Sequence, residues 1–201
     1  MKKLLKVIIP LVLVLSAVPI SIRIYNINKN IPLPQVLEYK EGDLVPLEED
    51  YFWQIKENSS GYIIGVLSSR LETYSDYIHE LGETEEYIDE GYRPDFVYIL
   101  EVLVKNTNTD ENIGRGFDFI DMRVQSINET MQVNQWIFGL LYPELSGSDG
   151  FRVRPGTEKT MTLPFTRAYS ENGYGTLDDF SNENFYLLLS MYPRKKIIKL
   201  N

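Results

Sequence analysis

The chain has 201 residues, 43% of them hydrophobic and 24% charged, a balance that supports a real core and excludes disorder for its bulk. Cysteine is absent, which excludes disulfides, thiolate metal sites, a cysteine nucleophile and lipobox lipidation, and a disulfide-free exported chain points to a bacterial source. The formal net charge is −9, and setting aside the four leader cations Lys2, Lys3, Lys6 and Arg23 brings it four units lower, to −13, an acidity that repels nucleic acid and anionic head groups alike.

Met1–Lys6 is basic and Val7–Ile22 is apolar apart from two serines and two prolines, so residues 1–23 read as a targeting segment. Leu4 to Ile22 reaches the length of a membrane span if Lys6 snorkels, and Pro10 and Pro19 argue against a buried core helix. A retained transmembrane signal anchor is expected, single-pass, with the C-terminal part outside the cytoplasm; a cleaved leader would give a secreted protein instead. Residues 24–37, polar and punctuated by Pro32 and Pro34, read as an extended linker, and residues 38–201 as the ectodomain.

Within that ectodomain Glu38–Leu47 reads as an edge strand held there by Pro46. Tyr51–Lys56 and Tyr62–Ser68 flank a turn cluster and suggest a hairpin. The period then changes, and Leu71, Tyr74, Ile78 and Leu81 predict a short helix that Gly82 stops, followed by a second acidic piece over Glu85–Glu90. Phe96–Asn106 is the central strand, with Tyr98, Leu100, Val102 and Val104 on one face and Glu101 and Lys105 on the other. Further strands are expected at Phe117–Ser126, Gln132–Leu141, Phe151–Arg154, Lys159–Phe165, Phe185–Tyr192 and Lys196–Leu200, with Pro164 ending or bending its strand and Trp53 and Trp136 in the core. Some eight short strands separated by turns predict an antiparallel β-sandwich of immunoglobulin type carrying a short helical insert.

No nucleophile-elbow, Walker, Rossmann or zincin motif is present, and His79 is the only histidine, so no catalysis is implied and the chain is not expected to be an enzyme. The acids Asp76, Glu80, Asp89 and Glu90 of the insert are candidate Ca²⁺ ligands, although no EF-hand spacing occurs and a solvated acidic face is the simpler reading. Tyr74, Tyr77, Tyr87, Tyr92, Tyr142 and Tyr174 lie near turns and are candidate contacts for a glycan or peptide, against the alternative of edge packing. Arg194, Lys195, Lys196 and Lys199 form the one basic cluster beyond the leader and read as a charged edge strand.

The segments HELGETEEYIDEGYRPDFVYILEVLVKNTN, GFRVRPGTEKTMTLPFT and FYLLLSMYP together resemble an uncharacterised Gram-positive family of short, N-terminally membrane-anchored proteins with an immunoglobulin-like ectodomain. The resemblance covers roughly Gly42 to Tyr192 and implies a β-sandwich and an exported location. A membrane-tethered, extracytoplasmic binding module of the bacterial envelope is therefore expected, with an envelope protein or glycan as partner. The alternatives are a Ca²⁺-stabilised adhesin-like module and a cell-wall-acting enzyme.

Overall fold

A computed structural model of the chain describes residues 15, 17–29, 33–52, 59–84, 94–110, 116–167 and 183–201. It forms two units, residues 1–33 and 34–201. The described part of the first is a helix, α1, over residues 17–28, so the chain expected to be an extended linker from Ile24 is still helical there. Among the described residues no helix is long and apolar enough to cross a membrane.

The second unit is mainly β. Its strands are β1 (Gln35–Lys40), β2 (Val45–Pro46), β3 (Tyr62–Thr73), β4 (Phe96–Asn106), β5 (Phe117–Asp118), β6 (Arg123–Gln125), β7 (Thr130–Val133), β8 (Gly150–Phe151), β9 (Glu158–Arg167), β10 (Tyr186–Ser190) and β11 (Arg194–Lys199). Two short helices interrupt them, α2 (Tyr74–Glu80) and α3 (Gln135–Leu141), and a 3-10 turn, Pro143–Leu145, follows α3. The domain thus begins at Gln35, inside the stretch expected to be linker.

Nine strands form one continuous sheet in the order β1-β11-β10-β6-β7-β9-β4-β3-β2, where two separate sheets were expected; β5 and β8 pair apart from it. The strands at its two ends, β1 and β2, are joined by only residues 41–44. Laid flat, nine strands would hold those ends roughly 38 Å apart, whereas the link spans at most roughly 17 Å. The sheet must therefore curl until its ends meet, and it does: Gly42 N donates to Val66 O at 2.8 Å, and Tyr51 bridges Tyr192.

β4 is the central strand that its pattern predicts, paired with β3 along one edge and β9 along the other. Phe96, Tyr98, Leu100, Val102 and Val104 point into the curl, where Tyr98 meets Phe185 across the interior at 5.0 Å between ring centroids. Val97 and Ile99 face outward, yet they too are buried, because α2 and α3 cover them in a second core with Tyr74, Tyr77, Ile78 and Ile137. Thr73 caps α2 by accepting from Asp76 N at 3.2 Å, and Gly82, at φ 77°, takes the left-handed turn that ends it.

Several local expectations change. Gln132–Leu141, expected as one strand, is strand β7 only to Val133 and helix α3 from Gln135, where Asn134 caps the helix by accepting from Ile137 N, and Phe117–Ser126 is broken into β5 and β6. Leu71 belongs to β3, which runs five residues past Ser68 to Thr73 with a bulge at Leu67, so the helix starts only at Tyr74. Tyr51, expected in a hairpin with Tyr62–Ser68, bridges Tyr192 instead; β3 pairs with β2 and β4, and residues 53–58, with Trp53, lie outside the described part. β9 runs straight through Pro164: its carbonyl accepts from Asn134 N at 2.8 Å, and a strand residue's N and C=O point the same way, so the missing N–H faces the end of β7 and no bond to β4 is lost. β11 is not an edge strand, being flanked by β10 and, in parallel, by β1.

Candidate functional surface

The helical layer gathers three of the tyrosines singled out by sequence, but it consumes them in packing. Tyr74 and Tyr77 are buried in the second core. Burial pushes the Tyr77 phenol up to about 12, against the opposing pull of the Arg70 guanidinium, which lies 5.7 Å from its ring centroid. Tyr142, just past α3, is half-buried; its hydroxyl accepts from Thr162 N at 2.7 Å and its ring lies under Lys159 Nζ at 5.6 Å. Tyr87, Tyr92 and Tyr174 lie outside the described residues. Trp136, expected in the core, is 37% exposed, since α3 turns Ile137 and Phe138 inward and leaves the residue before them at the rim.

The candidate metal ligands are engaged with their own neighbours. Asp76 accepts from the Thr73 hydroxyl at 2.5 Å, and Glu80 takes both carboxylate oxygens to Arg70 at 3.1 and 3.2 Å. Asp89 and Glu90 lie outside the described part. Among the described residues no three His, Asp or Glu gather in a way that could hold a metal ion, and His79 is exposed in the last turn of α2.

Each member of the basic cluster of β11 is engaged where it stands, three of the four by carboxylates. Lys199 pairs with Glu38 at 2.6 Å, and Lys195 lies over the Tyr186 ring at 5.5 Å. Lys196 is fully buried, its ammonium 2.6 Å from Asp50 and 2.8 Å from Glu48, and it also donates to the carbonyls of Pro46 and Leu47. Arg194 closes the group, donating to Asp50 Oδ1 at 3.1 Å and reaching Glu48 at 2.6 Å. The hydrogen bond from Lys196, helped by the charges of Lys196 and Arg194, holds the Glu48 carboxyl below its usual range in spite of partial desolvation. Glu48 sits at φ 59°, a left-handed conformation uncommon for a residue with a side chain and held here by its pairings with Lys196 and Arg194.

A feature without any predicted residue lies at the other end of the curl. Ser126, Ile127, Glu183, Asn184 and Tyr186 line an open depression of about 660 Å³. Ile127 is 95% exposed at the tip of the β6–β7 turn. The legible signal was an isoleucine inside the polar turn Gln125-Ser126-Ile127-Asn128-Glu129, where a hairpin tip has no core to reach.

Together these features define a class: a mainly β domain built on one nearly closed nine-stranded sheet, with a helical layer on one outer face and a partly buried ion cluster at its seam. Residues 36–196 match a family described as Domain of unknown function (DUF5028), and the chain belongs to that family. No curated protein and no solved structure matches it.

Proposed function

We propose that this protein is a membrane-tethered, extracytoplasmic interaction module of a Gram-positive envelope, working by binding rather than catalysis. The observation that carries the tether is α1. Val18, Ile20, Ile22, Ile24 and Ile27 are each more than half exposed and, at helical spacing, fall on two opposite sides of the axis, with Arg23 and Asn26 on one flank between them and Ser21 and Asn28 on the other. Aliphatic side chains exposed on opposite sides of one helix favour cover by lipid or by protein over water. Its end suits an interface, for Lys29 Nζ lies 5.9 Å over the Tyr25 ring, the aromatic and cationic pairing favoured at head groups. The apolar leader upstream supplies the remaining length, and the cations at its start keep the N-terminus inside.

An immunoglobulin-like classification of the domain is supported by strand order. The runs β3-β4-β9 and β11-β10-β6-β7 follow the A-B-E and G-F-C-C′ orders of that sandwich, here joined through the β7–β9 pair. Such a frame presents its loops for recognition while its strands stay rigid.

The test is fractionation of the full chain expressed in a Gram-positive host. The expected result is a membrane band that resists carbonate extraction, has the mass of the uncleaved chain, and loses its domain to protease added outside intact protoplasts. A carbonate-soluble chain, or a domain protected from outside protease, overturns the reading.

A further inference from the structure

We infer that the depression beside Ile127 is a binding site for a basic, aliphatic peptide segment, with Glu183 as its charge anchor. Two independent observations converge there. Glu183 Oε1 accepts from Asn128 Nδ2 at 2.7 Å, but Oε2, although shielded from solvent, meets no hydrogen-bond donor among the described residues. A carboxylate oxygen withdrawn from water and left without a donor is costly, and a cationic donor in its place makes a strong, charge-assisted bond. Beside it Ile127 holds an aliphatic side chain almost wholly in water at a hairpin tip, where it contributes nothing to either core.

The other groups define the rest of the ligand. Tyr186 presents a half-buried ring whose hydroxyl donates to Gln125 Oε1 at 3.1 Å and over which Lys195 lies, so that flank is already supplied with a cation. Ser126 Oγ accepts from the backbone N–H groups of Asn128 and Glu129, which fixes the turn that holds Ile127 out. An arginine or lysine side chain suits this arrangement, its charged end drawn to the Glu183 carboxylate and its neighbours' aliphatic groups on Ile127. The acidity of the domain draws such a segment in by the same sign of field.

This rests on the reading of the chain as an interaction module but not on its tether, and the experiment separates the two. The full chain, held in solution by a mild non-ionic detergent whether or not it is tethered, is titrated, at about 150 mM salt to screen non-specific attraction, against a fluorescein-labelled decapeptide of alternating Arg and Ile. Comparison peptides carry citrulline for Arg or Ser for Ile. The alternating peptide is expected to bind, and each peptide change, like each of Glu183→Gln and Ile127→Ser, is expected to weaken it at least about tenfold. Ile127→Ser alters a residue outside both cores, so its fold is secure even if Glu183→Gln disturbs the turn. No binding by the unaltered chain, full binding by the citrulline peptide or by either variant, or displacement of the probe by peptidoglycan oligosaccharides would each overturn the site. Carbonate extraction of the same expressed chain reports the tether separately.

Discussion

Asp50 and Glu183 are both carboxylates with oxygen held away from water, and the domain treats them in opposite ways. Asp50 lies between two cations: Oδ1 accepts from Arg194 Nε, while Oδ2 sits 2.6 Å from Lys196 Nζ and 3.1 Å from Arg194, off the hydrogen-bond direction, so its pairing is coulombic. Glu183 has one amide donor on one oxygen and none among the described residues on the other. The first arrangement joins distant parts of the chain, fixing the Leu47–Asp50 turn beside β2, the last strand of the sheet, to β11 near its other end. The second joins only a hairpin turn to the start of a strand and leaves bonding capacity over. A fully paired buried charge reads as a seam, and a half-paired one at a depression reads as a socket.

The largest effect comes from turning the first arrangement into the second. Lys196→Met keeps the length and apolar stem of the side chain but leaves the Asp50 carboxylate stranded from all but Arg194, and it is expected to lower unfolding free energy by about 3 kcal/mol, read by urea titration. Adding Asp50→Asn should return part of that loss, because the stranded charge, not the lost volume, is the cause; no recovery would show that the seam is held by packing alone. Smaller and opposite in sign is Glu183→Gln. Removing the charge from a poorly satisfied position is expected to leave stability unchanged or raise it by up to about 1 kcal/mol, while peptide binding falls. A clear destabilisation would make Glu183 structural and blur the contrast with Asp50.

How much of this was readable in advance follows the range of the forces involved. β4 was legible because alternation is local, and α2 because Tyr74, Ile78 and Leu81 recur at helical spacing; Pro46 marked an edge because a missing N–H is a property of one residue. The curl of the sheet was not legible, since it follows from which strands become its ends, and the joining residues 41–44 look like any turn. Lys196 in Arg-Lys-Lys-Ile-Ile-Lys has the composition of a solvated edge, and only partners far upstream bury it. Tyr74 and Tyr77 lie near turns and are open in sequence to either contact or packing, and packing takes them because an outward-facing pair on β4, Val97 and Ile99, needs covering. Ile127 was visible in its polar turn, but Glu183 acquires meaning only from the chain that folds against it.

The smallest expected effect tests whether the seam acts as one electrostatic unit. Glu48 is half-exposed, so solvent screens its pairings, but its folded carboxyl is depressed, chiefly by the hydrogen bond from Lys196. A depressed acid contributes stability that is fully present above its unfolded value, near 4.5, and is lost as pH falls through the lower folded value. Melting temperature should therefore decline on acidification below about pH 4.5, and Glu48→Gln should flatten that decline while leaving the neutral-pH melting temperature only slightly lower. Should the acid limb keep its slope in Glu48→Gln, the proton uptake belongs to other carboxylates, and the seam is then held by Asp50 with Lys196 and Arg194, Glu48 being a bystander. A flattened limb would instead tie the left-handed turn at Glu48 to the charges that hold it.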